Sequence, residues 1–148
     1  DVCSSDLAYG MAGLRMGFGI AKPEIANALG GMQRGFHNNR INLAAGVAAL
    51  LDQDHLKANV KAALDGKHYI YEQLDRLDVA YIPSQTNFLI VKFNRKVDSL
   101  VQSLYQKGVL VKEQPLPGIP HALRVSTTVQ AGNEAFIAGV EAWLKGGA

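Results

Sequence analysis

Two arginines stand where their neighbours would let a guanidinium do chemistry. Arg15 lies among Gly10, Gly13, Gly17 and Gly19 in the stretch 8–21, Ala-Tyr-Gly-Met-Ala-Gly-Leu-Arg-Met-Gly-Phe-Gly-Ile-Ala. Glycine has no Cβ, so such a segment can turn sharply and bring its backbone close to a ligand. A guanidinium fixed there would hold a phosphate or a carboxylate, because its planar fork donates two parallel hydrogen bonds. The same residues also read as a glycine-rich turn entering a buried strand, with Arg15 merely solvated. Arg124 sits between apolar Leu123 and Val125, just after a proline-rich loop. Strand alternation turns its side chain to the face opposite theirs. On the residues alone, that is an exposed strand cation with a salt-bridge role.

Other chemistries find no support in the spacing. His37, His55, His68 and His121 show no ligand pattern such as His-x-x-x-His, so no metal site is expected. Gly17-Phe18-Gly19 has no third glycine in register, which argues against a dinucleotide fingerprint. No Ser/His/Asp or Cys/His constellation can be picked out. The only cysteine is Cys3, which leaves neither a disulfide nor a Cys-based metal site. The net charge of +2 comes from scattered Lys and Arg, so no nucleic-acid partner is expected. No apolar run reaches the ~18 residues of a membrane span, and a cytoplasmic location is the expectation. With 148 residues, 48% hydrophobic and 19% charged, the chain has the composition of an ordinary globular protein large enough for a sizeable core.

The elements that would position the arginines follow from periodicity. Leu14 to Ala21 reads as a short apolar strand, and Pro23 to Leu29 as a short helix with proline in its first turn, stopped or bent by Gly30-Gly31. Phe36 to Asn42 is an amide-rich loop suited to turns and caps. Leu43 to Leu51 predicts a buried helix, and Asp52-Gln53-Asp54 a polar break with a cap. A longer amphipathic helix carries Leu56, Val60, Leu64, Tyr71 and Leu74 at helical steps, with Gly66 marking a bend.

Beyond it the pattern turns to short β and α pieces. Strands are expected at Val79–Ile82, Phe88–Phe93, Val109–Val111 and Leu123–Ser126. Helices are expected around Val97–Leu104, capped by Gly108, and around Phe136–Leu144. Gln114 to Pro120 must be a loop, since its prolines cannot sit in a central strand.

The glycine-rich stretch resembles the cofactor-lysine segment of fold-type I pyridoxal-phosphate-dependent aminotransferases of class I/II, and most of all the histidinol-phosphate aminotransferase branch. Gly10, Met11, Gly13, Arg15, Met16 and Gly17 fall on that pattern. The resemblance implies that Arg15 binds the phosphate of pyridoxal 5′-phosphate. Counting back from Arg15, the slot of the lysine that forms the Schiff base falls on Leu7, which has no amine. Pro83-Ser84-Gln85-Thr86-Asn87-Phe88 resembles the family's Pro-Ser-x-x-Asn-Phe element on the substrate side. For Asn87 a structural hydrogen-bonding role is favoured beside substrate binding. Leu123-Arg124-Val125-Ser126, followed by a polar turn and a helix, matches the family's final arginine motif. By resemblance Arg124 clamps the α-carboxylate or phosphate of the substrate. Histidinol-phosphate enzymes typically carry another arginine after the preceding strand, and here that slot is Lys112.

The resemblance implies an α/β fold: the end of the large cofactor domain and the small C-terminal domain of the pyridoxal-phosphate-dependent transferases. It divides the chain into 8–52, a remnant of the large domain, and 53–148, the linking helix and small domain. Asp1 to Leu7 reads as a translated sequencing adapter (GAC GTG TGC TCT TCC GAT CT, plus one base of insert) and is set apart as non-native. The implied parent is a homodimeric transaminase that moves an amino group between an amino acid, or histidinol phosphate, and a 2-oxo acid through an aldimine. The chain itself, lacking the lysine, is expected to be inactive. The alternatives are a decarboxylase or lyase of the same fold, such as the threonine-phosphate decarboxylases, and a lysine-less module that binds an anion or a partner protein.

Overall fold

The computed structural model describes residues 2–3, 8–14, 18–32 and 39–146. The chain forms two compact units, Asp1–Lys61 and Ala62–Ala148. The division falls inside one long helix, where the sequence suggested a boundary between residues 52 and 53.

In the first unit a two-residue strand β1 (Val2–Cys3) pairs antiparallel with β2 (Phe18–Gly19). Residues set apart as non-native therefore take part in the backbone pairing. Of the apolar strand expected over 14–21, Phe18–Gly19 is strand among the described residues, and Ala12–Leu14 is a 3₁₀ turn. Helix α1 (Pro23–Met32) runs through Gly30 and Gly31 instead of stopping there. Neither glycine has a neighbour within 4 Å of where a Cβ would sit, so nothing in their surroundings forces a break.

Helix α2 (Arg40–Leu51) starts three residues before the expected Leu43, inside the stretch read as a loop, because Asn39 caps it there: the Asn39 Oδ1 accepts from the Asn42 N–H at 2.8 Å. It is not the buried helix its composition suggested. Leu43, Val47, Leu50 and Leu51 are exposed, and Gly46 is its buried residue. The polar break after it holds, with Asp52 Oδ1 accepting from the His55 N–H at 3.0 Å. Helix α3 (Gln53–Arg76) begins there.

The second unit is an antiparallel four-stranded sheet in the order β3-β4-β6-β5. Its strands are β3 (Tyr81–Ile82), β4 (Phe88–Lys92), β5 (Lys112–Glu113) and β6 (Ala122–Ser126). Helices α4 (Asp98–Gln106) and α5 (Gln130–Lys145) connect and close it. Leu89 and Val91 on β4, with Leu123 and Val125 on β6, turn one face of the sheet into the core. Ile70 and Leu74 of α3, Leu100 and Leu104 of α4, and Phe136, Ile137 and Val140 of α5 complete that core. Gly108, at φ +77°, ends α4 in the left-handed conformation, while the Val109 N–H returns to the Leu104 carbonyl at 2.9 Å. The following strand lies at Lys112–Glu113, C-terminal to the expected Val109–Val111, because Lys112 and Glu113 are the residues that meet Arg124 and Leu123.

Gly66 lies within one continuous helix. Its role is close approach: an added Cβ would sit 2.8 Å from the Asn133 Nδ2. The buried Asn133 side chain closes on Thr128 twice, accepting from its N–H and donating to its carbonyl, both at 3.0 Å. It cannot move aside without losing those bonds. At the surface, Glu141 accepts from Arg76 at 3.2 Å and from Lys145 at 2.9 Å.

Gly66→Ala is expected to lower unfolding stability by about 1–2 kcal/mol in a denaturant titration, because overpacking outweighs the helix-propensity gain. Hydrogen bonds from Arg76, then from Lys145, hold the Glu141 carboxyl down at about 2. A depressed folded pKa stabilises above the unfolded value and is lost on acidification, here between the ordinary 4.5 and about 2. Carboxyl NMR should find Glu141 titrating in that low range, and Arg76→Ala should move it upward.

Candidate functional site

On the sheet face turned away from the helices, Arg124 stands directly opposite Ile90 of β4 and Lys112 of β5, while Phe88 stands opposite Ser126. Paired residues share a face, so these side chains form two adjoining rows. The Arg124 guanidinium carbon lies 3.9 Å from the Phe88 ring centroid, in cation–π contact. Its Nε is shut off from solvent and has no hydrogen-bond partner. An open pocket of about 280 Å³ is lined by Leu110, Val111, Lys112, Arg124 and Ser126. A fixed guanidinium, an ammonium and a hydroxyl around one concavity suit an oxyanion, with Leu110 and Val111 available to an apolar body. Lys112 contributes a mobile point charge, not a second fork.

The segment before β4 is tied from several sides. Lys67 of α3, only 6% exposed, donates from Nζ to the Ser84 carbonyl at 2.9 Å. The Ser84 N–H donates to the Tyr71 hydroxyl at 2.9 Å. The Thr86 Oγ1 both accepts from the Phe88 N–H, at 3.3 Å, and donates to the Phe88 carbonyl, at 3.2 Å. Asn87 is held through its main chain: its carbonyl accepts from the Thr127 N–H at 2.8 Å and the Thr127 hydroxyl at 3.0 Å. Those bonds extend the β4–β6 ladder by one step past Phe88–Ser126. Residue Asn87 thus lies beside the arginine's platform, and the bonds described run through its backbone.

Arg15 and Leu7 lie outside the described residues. The flanks of the glycine-rich stretch are anchored by amides. Asn59 Nδ2 donates to the Ala8 carbonyl at 3.2 Å, and Asn42 Nδ2 to the Leu14 carbonyl at 2.7 Å. Gly10 takes φ +70°, a conformation that side chains rarely adopt. Gly13 has no atom within 4 Å of a virtual Cβ, so its backbone is approachable.

Sequence reasoning gave no individual site role to Phe88, Lys67 or Tyr71. Alternation with Leu89 and Val91 does put Phe88 on the arginine's face. Lys67 and Tyr71 are found only from the tertiary contact of α3 with the Ser84 turn.

A family model described as Aminotransferase class I and II matches residues 8–139. A histidinol-phosphate aminotransferase of Moorella thermoacetica is 37% identical over 129 residues, 87% of this chain and 33% of that protein. The crystal structure of histidinol-phosphate aminotransferase from Sinorhizobium meliloti, in complex with pyridoxal-5′-phosphate, superposes with a TM-score of 0.79. It is 27% identical, over 95% of this chain and 39% of that one. The crystal structure of L-threonine-O-3-phosphate decarboxylase from Porphyromonas gingivalis shares the fold, with TM-score 0.81 at 22% identity, covering 97% of this chain and 46% of that one. The chain spans only about a third of the length of the curated relatives it matches.

Thr127→Val should cost about 1 kcal/mol in thermal or chemical unfolding, by removing the hydroxyl donor to the Asn87 carbonyl while leaving the backbone bond. An unchanged stability would mean that this hydroxyl does not hold the end of β4.

Proposed function

Because the chain belongs to the class I and II aminotransferases, we propose that the longer enzyme carrying it transfers an amino group between an anionic amino compound and a 2-oxo acid. Histidinol phosphate or an amino acid is the donor. The observation that carries this reading is Arg124, fixed on Phe88 at the wall of an open pocket beside Lys112. Its fork binds the substrate's carboxylate or phosphate and orients the reacting carbon, and Lys112 adds attraction without a second planar contact. Asn87 buttresses the strand end that carries Phe88. A homodimer is the assembly that the family resemblance implies for that longer enzyme.

Pyridoxal 5′-phosphate is the cofactor the family implies, and when bound it supplies an electron sink. The donor set of this chain meets one of its two demands. Arg15, in a glycine-rich stretch in which the backbone of Gly13 is approachable, suits the phosphate by its residue type. Leu7, in the lysine slot, is hydrocarbon and cannot make the covalent link. The 148-residue chain is therefore inactive by itself. A second reading, a lysine-less module that binds anions without transferring anything, would be favoured by a native reading frame that has no lysine before Ala8.

Two experiments bear on these readings. Sodium borohydride reduction of the 148-residue chain with pyridoxal 5′-phosphate should leave no peptide labelled stoichiometrically, as read by mass spectrometry; one fully labelled lysine would refute the inactivity. In the longer enzyme, Arg124→Lys should raise KM for the anionic substrate about 10- to 100-fold, since a bidentate charge-assisted contact is worth about 1.5–3 kcal/mol. An unchanged KM would remove Arg124 from substrate binding.

A further inference from the structure

We infer that Phe88 is the positioning residue of the anion site, its ring holding the Arg124 guanidinium in place before any anion arrives. The inference rests on the reading of Arg124 as the anion ligand. Ile90, not Phe88, stands directly opposite Arg124 in the sheet. The guanidinium nevertheless lies over the diagonal neighbour, 3.9 Å from its ring centroid. Long side chains reach such diagonal partners, and guanidinium stacks readily on aromatic faces because it is weakly hydrated. No acceptor fixes Nε. The ring is the contact that defines where this end of the side chain lies.

A platform is useful only if it is itself fixed, and Phe88 is fixed from three directions. Thr86 closes on both its N–H and its carbonyl. The β4–β6 ladder pairs it with Ser126. One step upstream, Lys67 and Tyr71 of α3 grip the carbonyl and N–H of Ser84, whose hydroxyl meets that of Thr86 at 2.9 Å. A free arginine side chain loses much rotamer freedom on binding. An arginine already stacked has lost that freedom before the anion arrives.

The test uses the 148-residue chain and inorganic phosphate as the probe, with binding read from the backbone amide shifts of Lys112 and Ser126 at the pocket, so that phosphate held at Arg15 does not count, and order read from NMR of the Arg124 Nε–Hε group. Phe88→Leu should weaken phosphate binding about three- to tenfold and lower the Nε–Hε order parameter, whereas Phe88→Tyr keeps both near wild type. Thr86→Val, which loosens the platform without touching the ring, should shift both in the same direction by a smaller factor, and serves if Phe88→Leu does not fold. Unchanged affinity and order in Phe88→Leu, with Arg124→Gln abolishing binding, would overturn the inference and leave the anion site standing. Phosphate binding indifferent to Arg124→Gln would instead overturn the anion reading, and the positioning role with it. That failure is recognisable because Nε–Hε order would still respond to Phe88.

Discussion

The pairing register of β4 with β6 is the constraint from which both the core and the site follow. Phe88 meets Ser126, Ile90 meets Arg124 and Lys92 meets Ala122, so Leu89, Val91, Leu123 and Val125 all turn to the helices. A slip of one residue would exchange the faces. If β6 were the strand that slipped, Leu123 and Val125 would enter solvent, and the Arg124 guanidinium would enter a hydrocarbon layer, where an unpaired charge costs several kcal/mol. Burial on one face therefore fixes the arginine on the other. The turn at Ser84 to Asn87 serves the same register, since its hydrogen bonds to Tyr71, Lys67 and Thr127 set where β4 begins.

The helices supply the second half of that specification. The backbone of Gly139 on α5 approaches the fully buried Leu104 of α4 so closely that a methyl there would meet Leu104 Cδ2. Gly66 of α3 performs the matching service for Asn133 at the start of α5. Small residues at these two points let the helices lie near one another and near the sheet. Phe136, Ile137 and Val140 can then reach the strands. The glycine in the middle of α3 thus stands at a point of close approach, where a side chain would not fit.

How much of this was legible in the chain depends on where the physical cause resides. Local causes read well: the polar break at Asp52, the Gly108 that ends α4, the alternation that isolates Arg124 from Leu123 and Val125. Causes that need a partner read poorly. An apolar pattern encodes a demand for covering surface, not its supply, so Leu43, Val47 and Leu50 of α2 predicted burial and are exposed in a chain about a third as long as its relatives. Strand β5 was misplaced for a related reason, since Val109 to Val111 has the stronger β composition but Lys112 and Glu113 face β6. At the site, Arg124 was visible as a motif. Its platform was not, because Phe88 becomes a platform only when the ladder sets it diagonal to the arginine.

The energetics of that pair explain why an arginine with an unpartnered Nε belongs at a binding site. A buried donor without an acceptor costs about 1–3 kcal/mol. A cation over a ring returns about 0.5–2 kcal/mol, depending on how far it is desolvated. The balance is near zero, so the folded chain gains little from the arrangement as a structural contact. An oxyanion changes the balance, because it meets a guanidinium already partly stripped of water and held in one orientation. The stack on Phe88 thus spends stability on readiness. Replacing it by an intramolecular ion pair would stabilise the sheet but occupy the donors that an anion needs.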